Sequence, residues 1–129
     1  MSGVALEMIL VATGGATGCI ARYGTEHIKL FANNQFNTVV TNLTGCLLIG
    51  ILWVIIGKIS STPESLNRLL ITGFLGGFTT FSAFSLHPIL MLRNGQYTEA
   101  LAYIAITVVG GIAACALGMW GTEKITRLI

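Results

Sequence analysis

The chain has 129 residues, 53% apolar and only 9% charged, against roughly 25% charged in an ordinary soluble domain. That length leaves no room for a second domain, and a net charge of +2 without a basic patch speaks against nucleic-acid binding. The apolar residues fall in four long runs rather than at helical or strand periods, which predicts an all-α membrane protein with four transmembrane helices.

The first run, Val4 to Ala21, is interrupted only by Glu7. No positive charge precedes it, so it is expected to be a retained helix and not a cleavable signal. Gly14 and Gly18, with Gly15 beside them, have the spacing that lets two helix backbones approach closely. Arg22 follows one turn later, where it either snorkels to the headgroups or ties the helix end to a partner, and Tyr23 suits an interfacial anchor. Glu26 to Asn37 reads as a short amphipathic or irregular connection.

The second run, Thr38 to Gly57, is uncharged, and Asn42 is its unusual residue. An amide inside a span must find partners or face water, so Asn42 is either an interhelical bonding residue or a pore-lining donor. In the loop from Lys58 to Asn67, Thr62 is placed to cap and Pro63 to start a short helix.

The third run, Leu69 to Leu92, has His87 as its only ionisable group and contains G-F-L-G-G-F-T-T-F-S-A-F-S from Gly73 to Ser85. Adjacent Gly76 and Gly77 weaken a helix, and Thr79, Thr80, Ser82 and Ser85 can satisfy the backbone groups that a break would free. This predicts a spanning helix broken near mid-membrane. Beyond the break, Phe81 and Phe84 lie three apart, as do Ser82 and Ser85, which sets an aromatic pair beside a hydroxyl pair. Ring edges are partly positive and hydroxyls and amides donate hydrogen bonds, so such a lane can pass a small anion without the trapping that a full positive charge risks. The plainer reading is a pair of phenylalanines facing lipid or core.

Asn94-Gly95 marks a turn into the fourth run, Ala100 to Trp120. There Tyr103 and Thr107 either extend the polar lane or simply bond backbone, while Gly110, Ala114 and Gly118 form a small-residue ridge at four-residue spacing. Cys19, Cys46 and Cys115 all fall within spans and are odd in number, so they read as packing residues. Arg22, Lys29 and Arg93 fall on one side of the membrane, and Lys58, Arg68, Lys124 and Arg127 on the other. Such a near tie predicts insertion in both orientations, and with it an antiparallel dual-topology homodimer.

Three motifs, G-G-A-T-G-C-I-A-R-Y, T-N-L-T-G-C-L-L-I-G and G-F-L-G-G-F-T-T-F-S-A-F-S, occur in that order on the first three spans. Together they closely resemble the Fluc (CrcB-type) fluoride channels across essentially the whole chain. The resemblance implies a multi-pass protein of the plasma membrane, or the inner membrane where there are two, that confers fluoride resistance. It further implies an antiparallel dimer with two fluoride pores, each lined by both subunits. By that likeness Phe81 and Phe84 form a box of ring edges around fluoride and Asn42 donates to it. Ser82, Ser85, Tyr103, Thr107 and Thr80 belong to the neighbouring polar lane, and Arg22 to the pore vestibule. The carbonyls of Gly76 and Thr79 are expected to hold a central structural sodium ion. His87 stands where many relatives have an acidic residue, so conduction is expected to vary with pH.

The alternative is a small proton-coupled exporter of cationic compounds, which needs a membrane-embedded carboxylate. Glu7 is the sole candidate and lies within the first turn of its predicted helix. An enzyme is not expected, because the chain has no paired carboxylates, no Cys/His ligand spacing and no nucleophile with a base.

Overall fold

In a computed structural model, residues 3–28, 34–59 and 63–128 are described. Two long helices come first, α1 over Gly3–His27 and α2 over Asn34–Lys58. The third span is composite. A one-turn helix α3, Pro63–Leu66, runs into a π-helical segment, Asn67–Leu75, and then a short α4, Gly76–Phe78; after two extended residues α5 follows over Phe81–Arg93. The last helix, α6, covers Tyr97–Arg127. Four stretches are long and apolar enough to cross a membrane: Gly3–His27, Gln35–Lys58, Glu64–Arg93 and Tyr97–Arg127. At about 1.5 Å per residue each exceeds the roughly 30 Å of a hydrocarbon core. The helices overrun the apolar runs, with α1 continuing through Glu26 and His27 and α6 through Lys124 and Arg127.

The connections follow their local chemistry. Pro63 opens α3, as its missing N–H allows, whereas Thr62 and Lys29 lie outside the described residues, as does most of the connection from α1 to α2. Between α5 and α6 the chain reverses through Gly95, whose φ of 75° favours glycine.

Inside a bilayer the hydrophobic effect does not bring helices together, so close packing at small residues must. The glycines serve that purpose here within one chain. A Cβ at Gly14 would strike the Leu69 carbonyl, and one at Gly18 the Phe74 carbonyl, so α1 lies backbone to backbone on the π-helical segment. Likewise a Cβ at Gly50 would strike the Cys115 carbonyl, and one at Gly118 the Leu47 carbonyl. The predicted ridge on the last span therefore faces α2, and these two helices pack against each other over several turns. Val39, Met91, Ala100 and Tyr103 make a small core between α2, α5 and α6, with Leu43 and Phe84 against it. Large apolar side chains such as Ile20, Trp53, Leu101 and Ile112 remain exposed, as suits surfaces that meet lipid or another membrane protein.

The interruption of the third span does not coincide with the glycine pair. Gly76 and Gly77 are helical, and the chain leaves the helix at Thr79 (φ −86°, ψ 159°) and Thr80 (φ −144°, ψ 115°). Gly77 is held in the helix by its packing on the Gly15 backbone. Its lack of a side chain serves close approach and not bending.

Candidate functional site

The two extended residues are held by a side chain from another helix. Asn42 of α2 accepts from the Thr80 backbone N–H through Oδ1 at 2.9 Å and donates from Nδ2 to the Thr80 carbonyl at 3.1 Å. This pair of bonds mimics a strand neighbour and satisfies both backbone groups of the residue that left the helix. Thr80 then starts α5 as its N-cap: its hydroxyl accepts from the Ala83 N–H at 3.3 Å and meets the Ser82 hydroxyl at 3.2 Å. Thr79 stays tied to the preceding turn, its N–H and hydroxyl both reaching the Leu75 carbonyl. A Cβ at Gly45 would collide with the Thr79 methyl group, so Gly45 is what lets α2 approach the break.

Two backbone donors are diverted from the helical pattern. Thr80 N–H, which would bond Gly76 O in an unbroken helix, bonds Asn42. Ala83 N–H, which would bond Thr79 O, bonds the Thr80 hydroxyl. Arg22 reaches the same place from α1, its Nε donating to Gly77 O at 3.2 Å, with Glu26 3.9 Å from the guanidinium. Of the two roles considered for Arg22, this contact shows the tie from the end of α1 to another helix, with the side chain partly exposed.

Beyond the break the rings form a connected row. Phe81 and Phe84 are 5.4 Å apart between centroids, Phe84 stacks on Tyr103 at 5.9 Å, and His87 meets Tyr103 edge-on at 5.8 Å. The Tyr103 hydroxyl lies 3.1 Å from His87 Nδ1. Phe81 is 78% exposed, whereas Tyr103 is buried. Ser85 donates to the Phe81 carbonyl and Thr107 to the Tyr103 carbonyl, so both hydroxyl hydrogens are bonded to their own helices.

Asn42, Gly76, Thr79, Thr80, Phe81, Phe84 and Thr107 line one open groove of about 460 Å³. Ser82, Ser85, Tyr103, His87 and Arg22 are not among its lining residues. The sequence reading missed the apolar part of the groove wall, Cys46, Ile49, Ile71 and Gly111 among it, and the Thr25 hydroxyl, 3.1 Å from that of Thr41. Spacing within single helices gave no sign of these, because they come together only through packing. Glu7, the carboxylate required by an exporter, lies 3.3 Å from Arg68 Nε in an ion pair to which Glu64 also contributes.

Residues 9–119 match the family model described as CrcB-like protein, Camphor Resistance (CrcB). The chain belongs to the CrcB family. It is 42% identical over 134 residues to a protein of Azotobacter vinelandii named "Fluoride-specific ion channel FluC", covering 99% of this chain and 100% of that one. A Caulobacter protein of the same name is 41% identical, covering 92% and 96%, and one from Hydrogenobaculum 40%, covering 88% and 94%. Family membership and the four apolar helices together make this a multi-pass membrane protein.

Proposed function

We propose that this chain is one half of a passive fluoride-selective channel, acting without an energy source and without enzymatic chemistry. The observation that carries the reading is the clamp of Asn42 on Thr80 next to the ring pair Phe81 and Phe84, all on one groove, in a chain whose relatives are named fluoride-specific channels. Fluoride is small and strongly hydrated, so a path for it must replace water with many weak donors and hold it loosely enough to release. Amide N–H, ring edges and hydroxyls meet that need, and the Arg22 cation is bonded to the Gly77 carbonyl beside the lane, where it would raise local anion concentration. Fluoride that enters a cell as its neutral acid and ionises there would leave down its gradient, giving resistance in the plasma or inner membrane.

The reading extends to an antiparallel dimer. Phe81 is exposed and the groove is open, so one chain does not enclose a path, and a second inverted copy would supply the missing wall. The near tie of basic residues favours both orientations in the bilayer. The third span would then carry its break near mid-membrane, where irregular backbone is tolerated if it lines a polar cavity. The carbonyls of Gly76 and Thr79, whose i+4 donors bond elsewhere and whose residues line the groove, are of the hard oxygen type that a sodium ion takes. When bound there, sodium would supply structural charge between the two copies and would not be transported.

The test is fluoride efflux from proteoliposomes loaded with potassium fluoride, with chloride as control, for the wild type and Phe81→Ile. Fast selective efflux that needs no proton gradient and is lost in the variant supports the channel. No fluoride efflux from folded protein refutes it. Exchanging sodium for N-methylglucamine should shorten the dimer's lifetime, whereas an unchanged lifetime would remove the sodium site from this reading.

A further inference from the structure

Two helices grip the interruption of the third span, each at a different residue. From α1, Arg22 Nε donates to Gly77 O; from α2, Asn42 holds both backbone groups of Thr80. Between those two helices stands a third contact, the Thr25 and Thr41 hydroxyls 3.1 Å apart. Thr25 follows Arg22 by about one turn of α1, and Thr41 is the residue before Asn42. The three side-chain contacts therefore form a triangle, one between each pair among α1, α2 and the third span, and the break lies along its third-span side.

The direction of the hydroxyl contact follows from counting hydrogens. Thr25 Oγ1 donates to the Arg22 carbonyl at 2.7 Å, so its one hydrogen is committed and Thr41 supplies the hydrogen between the two oxygens. Thr13, Thr17, Thr107 and Thr122 instead donate to carbonyls of their own helices. Thr41, only 4% exposed, reaches across to another helix. The glycine contacts leave α1 and α2 in separate pairs: Gly14 and Gly18 seat α1 on the third span, and Gly50 and Gly118 seat α2 and α6 on each other. The threonine bond joins α1 of the first pair to α2 of the second, one residue from Asn42.

We propose that Thr25 and Thr41 are positioning residues, whose hydroxyl bond sets the place of the Asn42 amide against the break and, through it, the donor offered to the ion. The second half rests on the channel reading; the first does not. Thr41 is too well covered to meet an ion itself, so it acts through Asn42. Arg22 and Thr25 share one turn of α1, so the grip on Gly77 and the grip on α2 are made from one rigid piece. Together they fix the distance between Gly77 and Asn42 that the clamp on Thr80 needs.

The experiment measures amide hydrogen exchange at Thr80, with amides deep in α6 as control, and fluoride efflux. Both are read on the full chain in liposomes for the wild type, Thr25→Val, Thr41→Val, the double variant and Thr41→Ser. Valine keeps the shape of threonine and removes the hydroxyl. The proposal expects Thr80 exchange about 2- to 10-fold faster in either valine variant, the size of one hydrogen bond, and no faster again in the double variant, since both changes remove the same bond. Efflux slows at least about twofold in the valine variants, and Thr41→Ser returns both readings close to wild type. Wild-type Thr80 exchange in the valine variants overturns the proposal. So do effects that multiply in the double variant, or a serine variant no better than valine. If Thr41→Val does not fold, Thr25→Val, at a partly buried site, carries the same reading. Faster exchange with unchanged efflux overturns the second half alone. Faster exchange in the variants of a protein whose wild type passes no fluoride refutes the channel reading and leaves the positioning in place.

Discussion

The clamp of Asn42 on Thr80 and its proposed place on the ion's path are two roles that substitution can separate. In Asn42→Ala, Thr80 loses the acceptor for its N–H and the donor to its carbonyl. Each bond contributes about 0.5–1.5 kcal/mol net, so the clamp is worth about 1–3 kcal/mol. Since 1.4 kcal/mol is a factor of ten, losing the clamp should speed exchange of the Thr80 amide hydrogen by roughly 5- to 150-fold. Amides deep in α6 should be unaffected. Asn42→Asp keeps an oxygen to accept from Thr80 N–H but cannot donate to the carbonyl, and it adds a negative charge to the groove. Its Thr80 exchange should stay closer to wild type, while fluoride efflux collapses through anion repulsion. Amide exchange resolved to Thr80, paired with liposome efflux, gives both readings. Wild-type exchange in Asn42→Ala would show that the clamp does not hold the break, and normal efflux in Asn42→Asp would remove Asn42 from the ion's path.

The two rings should respond differently. Phe81→Ala removes an exposed ring and should abolish efflux with little loss of stability in the single chain, whereas Phe84→Ala also loses its stacking on Tyr103 and should cost about 1–3 kcal/mol in denaturant titration. Equal costs would contradict the geometry. Gly18→Ala should destabilise by about 1–3 kcal/mol or more, because the new methyl meets the Phe74 carbonyl, while Gly24→Ala, with open space at its Cβ, should be neutral or slightly stabilising; the same titration separates them. His87 is faced by Tyr103 from α6, whose hydroxyl lies 3.1 Å from Nδ1. Efflux should therefore vary across the range where imidazoles titrate, and His87→Gln, which keeps a hydrogen bond to Tyr103 without titrating, should flatten the profile. Identical wild-type and variant profiles would exclude His87 as the source.

The four spans are legible in the sequence because charge is almost absent from them, and a charged side chain inside hydrocarbon is too costly to hide. Their ends are less legible: α1 continues to His27 and α6 to Arg127, since polar residues end an apolar run without ending a helix. The π-helical segment left no mark, because nine residues are too few to show a period distinct from 3.6; α1 lies against it at Gly14 and Gly18. The break shows the limit most clearly. Propensity points to Gly76-Gly77, yet tertiary contact holds that pair helical, and a side chain 38 residues away in sequence takes the Thr80 N–H instead.

That displacement explains why this position should be asparagine. The clamp needs one acceptor and one donor side by side at the reach of a short side chain. Aspartate lacks the donor, serine has a single oxygen for both tasks, and glutamine sets the amide one carbon further out. Asparagine meets the geometry and has something left over: Nδ2 carries two hydrogens, and only one is committed to the Thr80 carbonyl. The second belongs to an amide already fixed in place and lining the groove. A donor fixed by its own structural bonds needs no reordering when an anion arrives, which is the condition for weak but selective binding. In the proposed channel, holding the helix open and meeting the ion would thus be two uses of one amide.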